Sequence, residues 1–431
     1  NPKYQEMSGK AQMAAVKLSE KYSFMMPEIM AMDSKVIDTF LQDERIALYK
    51  VSIKDMLSKK EHSLTEKEEK LLAMAGQMSA SPNEIFSKFN NADAKFGEIT
   101  DEEGNKVELT NGRYSVFMES NDRRVRQDAF HALYKEYGNY INTLAATYYA
   151  NVKQAIFFSQ ARNYDSTLEM YLSGSFIPVS VYKNLIETVN NNLDKMHKYV
   201  SLRKRELGVD ELHFYDVYAP MVSDYKLKVT YDEAKEIALK ALAPLGKEYT
   251  DKIQEGFNSG WVDVRENVGK RNGAFSWGAY GTHPYVFLNY SDTLNDVFTL
   301  VHEMGHAMHT FYSNENQPYV YAGYKIFVAE VASTCNEAIL INYLLKNCKD
   351  NTEKKYLINH YLEQFKGTLF RQTMFAEFEM ITHSMAENGE VLNAENLCNV
   401  YKELNKKYFG DDMVIDEEIA LEWSRIPHFY T

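Results

Sequence analysis

The sequence predicts a mainly helical α+β protein with a small sheet directly before one long helix. Only nine prolines and twenty glycines interrupt 431 residues, so segments with apolar residues at helical spacing can run long. Hydrophobic residues make up 45% of the chain, which is enough for a large buried core. Two stretches depart from the helical pattern, and they are the predicted sites of strands.

The first half of the chain is predicted to contain helices and one hairpin. Residues 1–98 have the pattern of several amphipathic helices, with a break at Ser81-Pro82. Residues 96–118 alternate apolar and polar side chains and carry turn signals at Glu103-Gly104 and Asn111-Gly112. This pattern predicts a β-hairpin or small sheet. A domain boundary is expected near it, dividing the chain into 1–110 and 111–431. Residues 120–122 offer N-caps for a long helix through about residue 160.

The second half is predicted to contain more helices around a short β region. Residues 180–208 and 231–258 have helical patterns. Residues 260–291 are rich in glycine, aromatic and β-branched residues, which predicts strands near 261–265 and 284–290. From Asp292 to about residue 410 the helical pattern returns.

Charge and cysteine content narrow the classes of function. The formal net charge of -13 argues against sequence-independent binding of nucleic acid, which relies on clustered basic residues. The chain contains no run of about 18 apolar residues, so no membrane-spanning helix is expected. The three cysteines, Cys335, Cys348 and Cys398, predict no disulfide framework. We expect buried thiols and a cytoplasmic location.

The predicted helix after residue 292 carries the clearest chemical motif, His302-Glu303-Met304-Gly305-His306. Residues four apart lie on one face of a helix, so both imidazoles can reach one metal ion. Glu303 lies about 100° around the helix from His302, where it can act as a base on metal-activated water. Leu294, Val297 and Val301 form an apolar stripe, which indicates a buried helix.

Two histidines leave such a site incomplete, because catalytic zinc takes three protein ligands. The spacing HExxHxxGxxH would place a third histidine at residue 312, where this chain has Tyr312. A later glutamate is the other solution. Glu330 and Glu337 lie seven residues apart among apolar neighbours on one predicted helix, and the pattern alone favours both about equally. Glu315 lies in a polar segment and is expected to face solvent.

Several segments together closely resemble oligoendopeptidase F, of the thimet-oligopeptidase-like zinc metallopeptidases. They are HEMGHAMH, FVAEVASTCNEA, FYDVYAP, GAFSWGAYGTHPYVFLNYSDTLNDVFTL and the terminal WSRIPHFY. The resemblance covers essentially the whole chain. It implies a zincin-like helical fold that encloses a deep channel, open to oligopeptides and closed to folded proteins. It also implies an oligopeptidase F-type domain in 1–110 and a catalytic domain in 111–431.

The resemblance assigns roles to individual residues. It implies that one Zn²⁺ is bound by His302, His306 and Glu330, the last in the segment FVAE. Glu337 then falls near the site, where a carboxylate can orient a ligating imidazole. His309 extends the motif but is expected to pack away from the metal.

The C-terminal segment carries further implied roles. His428 matches a family histidine that binds substrate and stabilises the tetrahedral intermediate, and Tyr430 is matched to the first of several tyrosines with a related role. Family members continue for several more helices beyond the position of Thr431. We therefore expect the sequence to be truncated at its C-terminus.

These observations predict a zinc-dependent endopeptidase that hydrolyses internal bonds of short peptides, with Glu303 as general base. The alternative is a helical protein that contains zinc but has no hydrolytic activity. Peptides are the expected partners, and neither nucleic acid nor membrane is expected. The sequence does not indicate an oligomeric state.

Overall fold

The computed structural model describes residues 2–22, 24–222, 227–267, 270 and 273–430. The chain divides into two compact units. The first comprises Asn1–Ala80 with Phe157–Asp165, and the second comprises Ser81–Ile156 with Ser166–Thr431. The predicted domains 1–110 and 111–431 stay a prediction.

The first unit is built from helices joined by short turns. Its helices are α1 (Pro2–Tyr22), α2 (Met25–Ala31), α3 (Ser34–Gln42), α4 (Lys50–Leu57) and α5 (Glu66–Ser79). Helix α5 begins at a capping box, in which the Thr65 amide donates to Glu68 Oε2 over 2.9 Å. Arg162 Nη2 lies 2.9 Å from Glu69 Oε2, and this ion pair joins the helix to the chain segment 157–165 of the same unit.

The N-terminal part of the second unit contains a hairpin and seven helices. Its elements are α6 (Ser81–Lys88), β1 (Glu98–Thr100), β2 (Lys106–Glu108), α7 (Asn111–Met118), α8 (Arg123–Asn139), α9 (Ile141–Ala161), α10 (Thr167–Ser173), α11 (Val179–Asn190) and α12 (Leu193–Leu207). Helix α9 extends into the first unit. The predicted break at Ser81-Pro82 is confirmed, because α6 begins there.

The remaining elements surround the motif helix. They are α13 (Tyr231–Ala241), α14 (Lys247–Asn258), β3 (Val262–Asp263), β4 (Phe275–Trp277), β5 (Tyr285–Phe287), α15 (Leu294–Asn316), α16 (Ile326–Asn347), α17 (Asn351–Gln364), α18 (Gln372–Glu387) and α19 (Ala394–Phe409). A π-helical turn, Phe365–Arg371, joins α17 to α18, and the 3-10 turns Glu417–Arg425 and Pro427–Tyr430 follow α19. The prediction of a mainly helical protein with small sheets is confirmed.

Two predictions about the region 96–160 are wrong in part. The hairpin exists, with Ile99 opposite Val107, but it ends at Glu108. The segment 111–118 is helix α7, because the Thr110 side chain accepts from the Arg113 amide and caps a helix there. The single helix predicted through residue 160 is two helices, α8 and α9, which meet at Tyr140.

The three-stranded sheet has the order β3-β5-β4. Strand β5 is central: Val262 of β3 pairs with Val286 in parallel, and Ser276 of β4 pairs with the same residue antiparallel. The pattern of residues 285–289 allows two interpretations about equally, a strand that pairs with an extended peptide and an internal strand. The internal strand is confirmed for β5, because both of its edges are already paired. Strand β4, which the pattern did not predict, has a free edge within this sheet.

The second unit contains two hydrophobic cores. One core joins α7–α9, α12, α18, α19 and the turns after α19. The other joins α13, α14, β5, α15, α16 and α17, and it includes Val297, Val301 and Met304 of the motif helix. The apolar stripe predicted on this helix is therefore confirmed as a buried face.

The cysteines are free, and Cys335 is exposed on α16, so the prediction that all three thiols are buried is wrong. Cys348 and Cys398 are half-buried. Within the described part of the chain, every helix falls short of the length and apolarity that a membrane crossing requires.

Candidate metal centre

Helices α15 and α16 are in close main-chain contact at Gly305. A Cβ atom at this position would lie 2.7 Å from Ser333 Cα and 2.9 Å from the Ala332 carbonyl oxygen, both in the α16 main chain. Contacts this short cannot be relieved by turning a side chain, so only glycine allows the two helices this separation. Gly305 lies between His302 and His306 in the motif, and the close approach brings Glu330 of α16 beside both imidazoles.

Three potential ligand atoms converge at this point. His302 Nε2 and His306 Nε2 are 3.1 Å apart. Glu330 Oε2 lies 3.3 Å from the first nitrogen and 3.4 Å from the second. Four ligands at zinc distances around a tetrahedral ion lie about 3.3 Å from one another. The three residues therefore fit three corners of a tetrahedral metal site, and they are the only such His, Cys, Asp or Glu group among the described residues.

Glu337 determines which nitrogen of His302 faces the other ligands. Its Oε1 accepts a hydrogen bond from His302 Nδ1, and Gln364 Nε2 donates to its Oε2 over 2.5 Å. The proton is thus held on Nδ1, which leaves the Nε2 lone pair for a cation. Burial lowers the pKa of His302, but the hydrogen bond and the charge of Glu337 outweigh burial, so the pKa is raised above 6.5.

The other two ligands are also oriented by neighbours. Ser333 Oγ donates to Glu330 Oε2 over 2.7 Å. Burial lowers the pKa of His306, and its neighbour His302 lowers it further, so the neutral imidazole that a metal requires is favoured. At 3.1 Å the two Nε2 atoms can share one proton, or both can direct their lone pairs at a cation.

Glu303 lies beside the ligands but is not part of the group. Its side chain is buried, and Oε2 has no hydrogen-bond partner among the described residues. Burial raises the pKa of this carboxyl to about 7, against the opposing effects of His302 and of a hydrogen bond from the Ser276 amide of β4. A buried carboxylate oxygen without a partner is costly, and such a group is suited to exchange a proton with a reacting molecule.

His309 is not among the converging ligands. Its ring stacks on Tyr324, with ring centroids 3.7 Å apart and an angle of 10° between the planes. This arrangement agrees with the packing role predicted for it. Several supporting residues were not predicted, namely Ser276, Ser333 and Gln364. Only Ser333 had a usable signal, since it follows Glu330 by three residues on one helix face.

His428 and Tyr430 lie in the C-terminal 3-10 turn. His428 is exposed and lines a cavity of about 390 Å³ beside α10, α11 and α18. Tyr430 is 5% exposed, its ring stacks on Phe86 at 4.2 Å, and its hydroxyl has no hydrogen-bond partner among the described residues. The structure thus assigns Tyr430 to the core that does not contain the motif helix. The roles predicted for both residues stay predictions.

Comparisons with family models and with known proteins all point to one family. Residues 116–431 match peptidase family M3, and residues 28–96 match the oligopeptidase F domain. The chain is 50% identical over 431 residues to oligopeptidase PepF of Bacillus subtilis, covering all of this chain and 64% of that protein. It is 44% identical over 429 residues to an oligoendopeptidase F homolog of Lactococcus lactis, covering 99% and 71%.

Solved structures agree with this comparison. The structure of oligoendopeptidase-F from Enterococcus faecium superposes with a TM-score of 0.77 at 38% identity, covering all of this chain and 72% of that one. This chain therefore spans roughly two thirds of the length of the proteins it matches.

Proposed function

Because the chain belongs to peptidase family M3, we propose that it is a zinc-dependent endopeptidase that hydrolyses internal bonds of short peptides. The observation that supports this most directly is the convergence of His302, His306 and Glu330 at tetrahedral spacing. The names of the Bacillus, Lactococcus and Enterococcus relatives point to the same activity on oligopeptides.

The three ligands would hold one Zn²⁺ and leave its fourth position for the reaction. When bound, the cation would lower the pKa of a water molecule from 15.7 to about 7 and polarise the scissile carbonyl. Two imidazoles and one carboxylate are a ligand set typical of catalytic rather than structural zinc, which is usually closed by four protein ligands. This chemistry favours the enzyme over the zinc-containing protein without activity.

Glu303 would act as the general base. Its unpartnered Oε2 takes the proton from the attacking water, and the resulting carboxyl passes it to the leaving amine. The Ser276 amide holds the carboxylate in place during both transfers. The pKa of about 7 lets Glu303 accept and release a proton near neutral pH.

Strand β4 is the proposed position for an extended peptide. It is an edge strand, it packs on α15, and its Ser276 amide contacts Glu303. A peptide that added a strand to this edge would pair through its main chain, which suits unfolded segments of varied sequence. Trp277, which is 64% exposed, would contact a side chain of that peptide.

Two C-terminal residues, His428 and Tyr430, have proposed roles beside the metal ligands and Glu303. His428 is proposed to bind substrate because of its match to the family histidine and its exposed position. The proposed role of Tyr430 as a donor to the developing oxyanion rests on the resemblance alone, since its hydroxyl is buried.

Substitution of Glu303 tests the function directly. Glu303→Gln should keep about one zinc per chain and lower kcat/KM for a quenched fluorescent peptide by about 10²–10⁴-fold, because the proton acceptor is lost. Glu330→Ala should lose the metal, which elemental analysis would measure. Glu315→Gln is the control and should keep both zinc and activity, because Glu315 is exposed on the same helix as the histidines. Normal turnover in Glu303→Gln would refute its role, and zinc with no peptidase activity in the unsubstituted protein would favour the alternative.

A further inference from the structure

A small cavity lies in the core that does not contain the motif helix. Its volume is about 40 Å³, and aromatic side chains line it together with Met118 and Met374. Pockets that bind organic ligands are usually about ten times larger. A volume of this size holds a few water molecules or one monatomic ion with a water.

Positive charge exceeds negative charge around this cavity. Lys366, Arg371 and Arg425 line it, and Glu422 is the only carboxylate that does so. Arg371 Nη2 lies 2.7 Å from Glu422 Oε1, and Arg425 Nη1 lies 3.7 Å from the same oxygen. One carboxylate oxygen therefore serves two guanidinium groups.

The other carboxylate oxygen of Glu422 is already hydrogen-bonded. Glu422 Oε2 accepts a hydrogen bond from the Tyr401 hydroxyl over 2.5 Å. Arg425 contacts the face of the Tyr114 ring at 5.1 Å and donates to the Tyr137 hydroxyl. A guanidinium has five N–H donors, and these contacts use only some of them in each group. Both side chains are partly exposed, Arg371 to 23% and Arg425 to 22%, so the remaining donors face the cavity or solvent.

A second carboxylate near the cavity, that of Glu363, already pairs with two cations. Glu363 pairs with Lys366 and also with Arg203. Burial, together with the charges of Arg203 and Arg371, lowers the pKa of Lys366 to about 8, although Glu363 opposes the change. Glu119, the next acidic neighbour of this pair, is exposed to solvent. Four cations thus face two carboxylates, and Lys366 and Arg203 are the fully buried cations among them. A further anion would offset this excess of positive charge.

Hydroxyl groups add to the surplus of donors. Tyr114 and Tyr134 line the cavity with side chains that are 7% and 1% exposed, so their hydroxyls can donate to a group bound in it. Asn405 contributes one unpartnered carboxamide oxygen, which suits a water molecule beside an ion.

From this geometry we propose that the cavity binds one small monovalent anion, of the size of chloride or bromide, between Arg371 and Arg425. The anion supplies the missing negative charge and accepts hydrogen bonds from the guanidinium groups and the tyrosine hydroxyls. Its binding joins Arg371, at the end of the π-helical turn before α18, to the Glu417–Arg425 turn and stabilises the core there.

Crystals grown in sodium bromide in place of chloride test the position of the anion. The expected result is an anomalous bromide peak inside the cavity, between the two guanidinium groups. Ordered water with no anomalous signal at this position would overturn the proposal.

Thermal unfolding of the metal-loaded protein tests the same site in solution. Sodium chloride or bromide should raise Tm by about 2–4 °C in a saturable manner, compared with sodium gluconate at equal ionic strength, because gluconate is too large to enter. Equal Tm values in halide and gluconate at all concentrations would contradict the proposal.

A conservative variant ties the effect to the cavity. Tyr134→Phe removes one hydroxyl donor and little volume, so the halide concentration for half-maximal stabilisation should rise about tenfold. Tyr148→Phe is the matched control: Tyr148 is buried in the same core, and its hydroxyl pairs with Thr382 Oγ1 at 2.7 Å. Tyr148→Phe should lower Tm in both salts and leave the halide midpoint unchanged. An unchanged midpoint in Tyr134→Phe, or an equal shift in the control, would count against the site.

Discussion

At the scale of single residues, the metal centre depends on which atom of each side chain is left free. His302 contacts two glutamates through different ring nitrogens: Glu337 through Nδ1 and Glu330 through Nε2. The sequence pattern favoured both glutamates about equally because both lie on the α16 face that meets this ring. These two contacts agree with Glu330 as the proposed ligand and Glu337 as the residue that orients His302, the division that the resemblance also implied.

Substitution of Glu337 tests that division of roles. Glu337→Gln keeps a hydrogen-bond acceptor for His302 Nδ1 but removes the negative charge that makes the imidazole a stronger ligand. Zinc affinity, measured by competition with a chelator, should fall about 10–100-fold while stoichiometric zinc is retained at saturation. Glu330→Gln is the comparison, because the loss of a ligand should prevent stable binding altogether. Equal losses in the two variants would show that Glu337 is itself a ligand.

A second residue, Glu379 on α18, predicts a pH effect on stability. Its side chain lines the cavity beside His428, and burial raises its pKa to about 7 from the ordinary value of 4.5. Between these two pH values the unfolded chain has lost the proton while the folded protein keeps it. Stability therefore falls as pH rises from about 4.5 to 7, and the full cost, on the order of 2–3 kcal/mol, remains above pH 7.

The variant Glu379→Gln imitates the protonated carboxyl at every pH. It should raise the free energy of unfolding at pH 8 and have little effect at pH 4.5, measured by urea denaturation. Glu387 lies about two turns further along α18. Glu387→Gln should instead lower the free energy of unfolding at pH 8, because Glu387 Oε1 accepts from Thr167 Oγ1 over 2.8 Å. A destabilised Glu379→Gln protein at pH 8 would contradict the assignment.

At the scale of elements, the sequence pattern predicted long regular segments well and short ones poorly. The motif helix α15 was predictable because Thr293 and Asp296 form a capping box before a continuous apolar stripe. Strand β4 was missed because its stability comes from pairing with β5 rather than from its own pattern. Helix α7 was predicted as strand because its residues alternate over a short stretch. The capping threonine, Thr110, favours a helix there instead.

The contact between α15 and α16 predicts an effect of Gly305. Gly305→Ala would place a Cβ 2.7 Å from Ser333 Cα, so the helices must separate and Glu330 must move away from the histidines. Stability should fall by about 1–3 kcal/mol, and zinc affinity should fall with it. Gly138→Ala is the control, because its Cβ would meet only Leu421 Cδ1 at an ordinary 3.6 Å. Its stability should change by no more than about 1 kcal/mol, in favour of alanine. Normal zinc binding by Gly305→Ala would show that the site tolerates helix separation.

At the scale of the whole molecule, the sequence indicated a large helical protein but not its division into cores. Apolar periodicity identifies a buried face and says nothing about which other face covers it. The two cores of the second unit therefore became visible only in the structure, as did the separation of Tyr430 from the motif helix. The candidate metal centre lies between α15 and α16, two helices that contribute to one of these cores and that no described disulfide joins.

Metal removal should accordingly destabilise this core without unfolding the chain. A cation that binds the folded state alone adds about 2.7 kcal/mol to stability at a free concentration of 100 times Kd. Treatment with 1,10-phenanthroline should lower Tm in the unsubstituted protein and equally in Glu303→Gln, since Glu303 is not a ligand. Glu330→Ala should begin at the lower Tm and show no further response to the chelator. If the chelator lowered Tm in Glu330→Ala by the same amount, the stabilising metal would have to bind elsewhere, and the three-ligand site would no longer explain the coupling between α15 and α16.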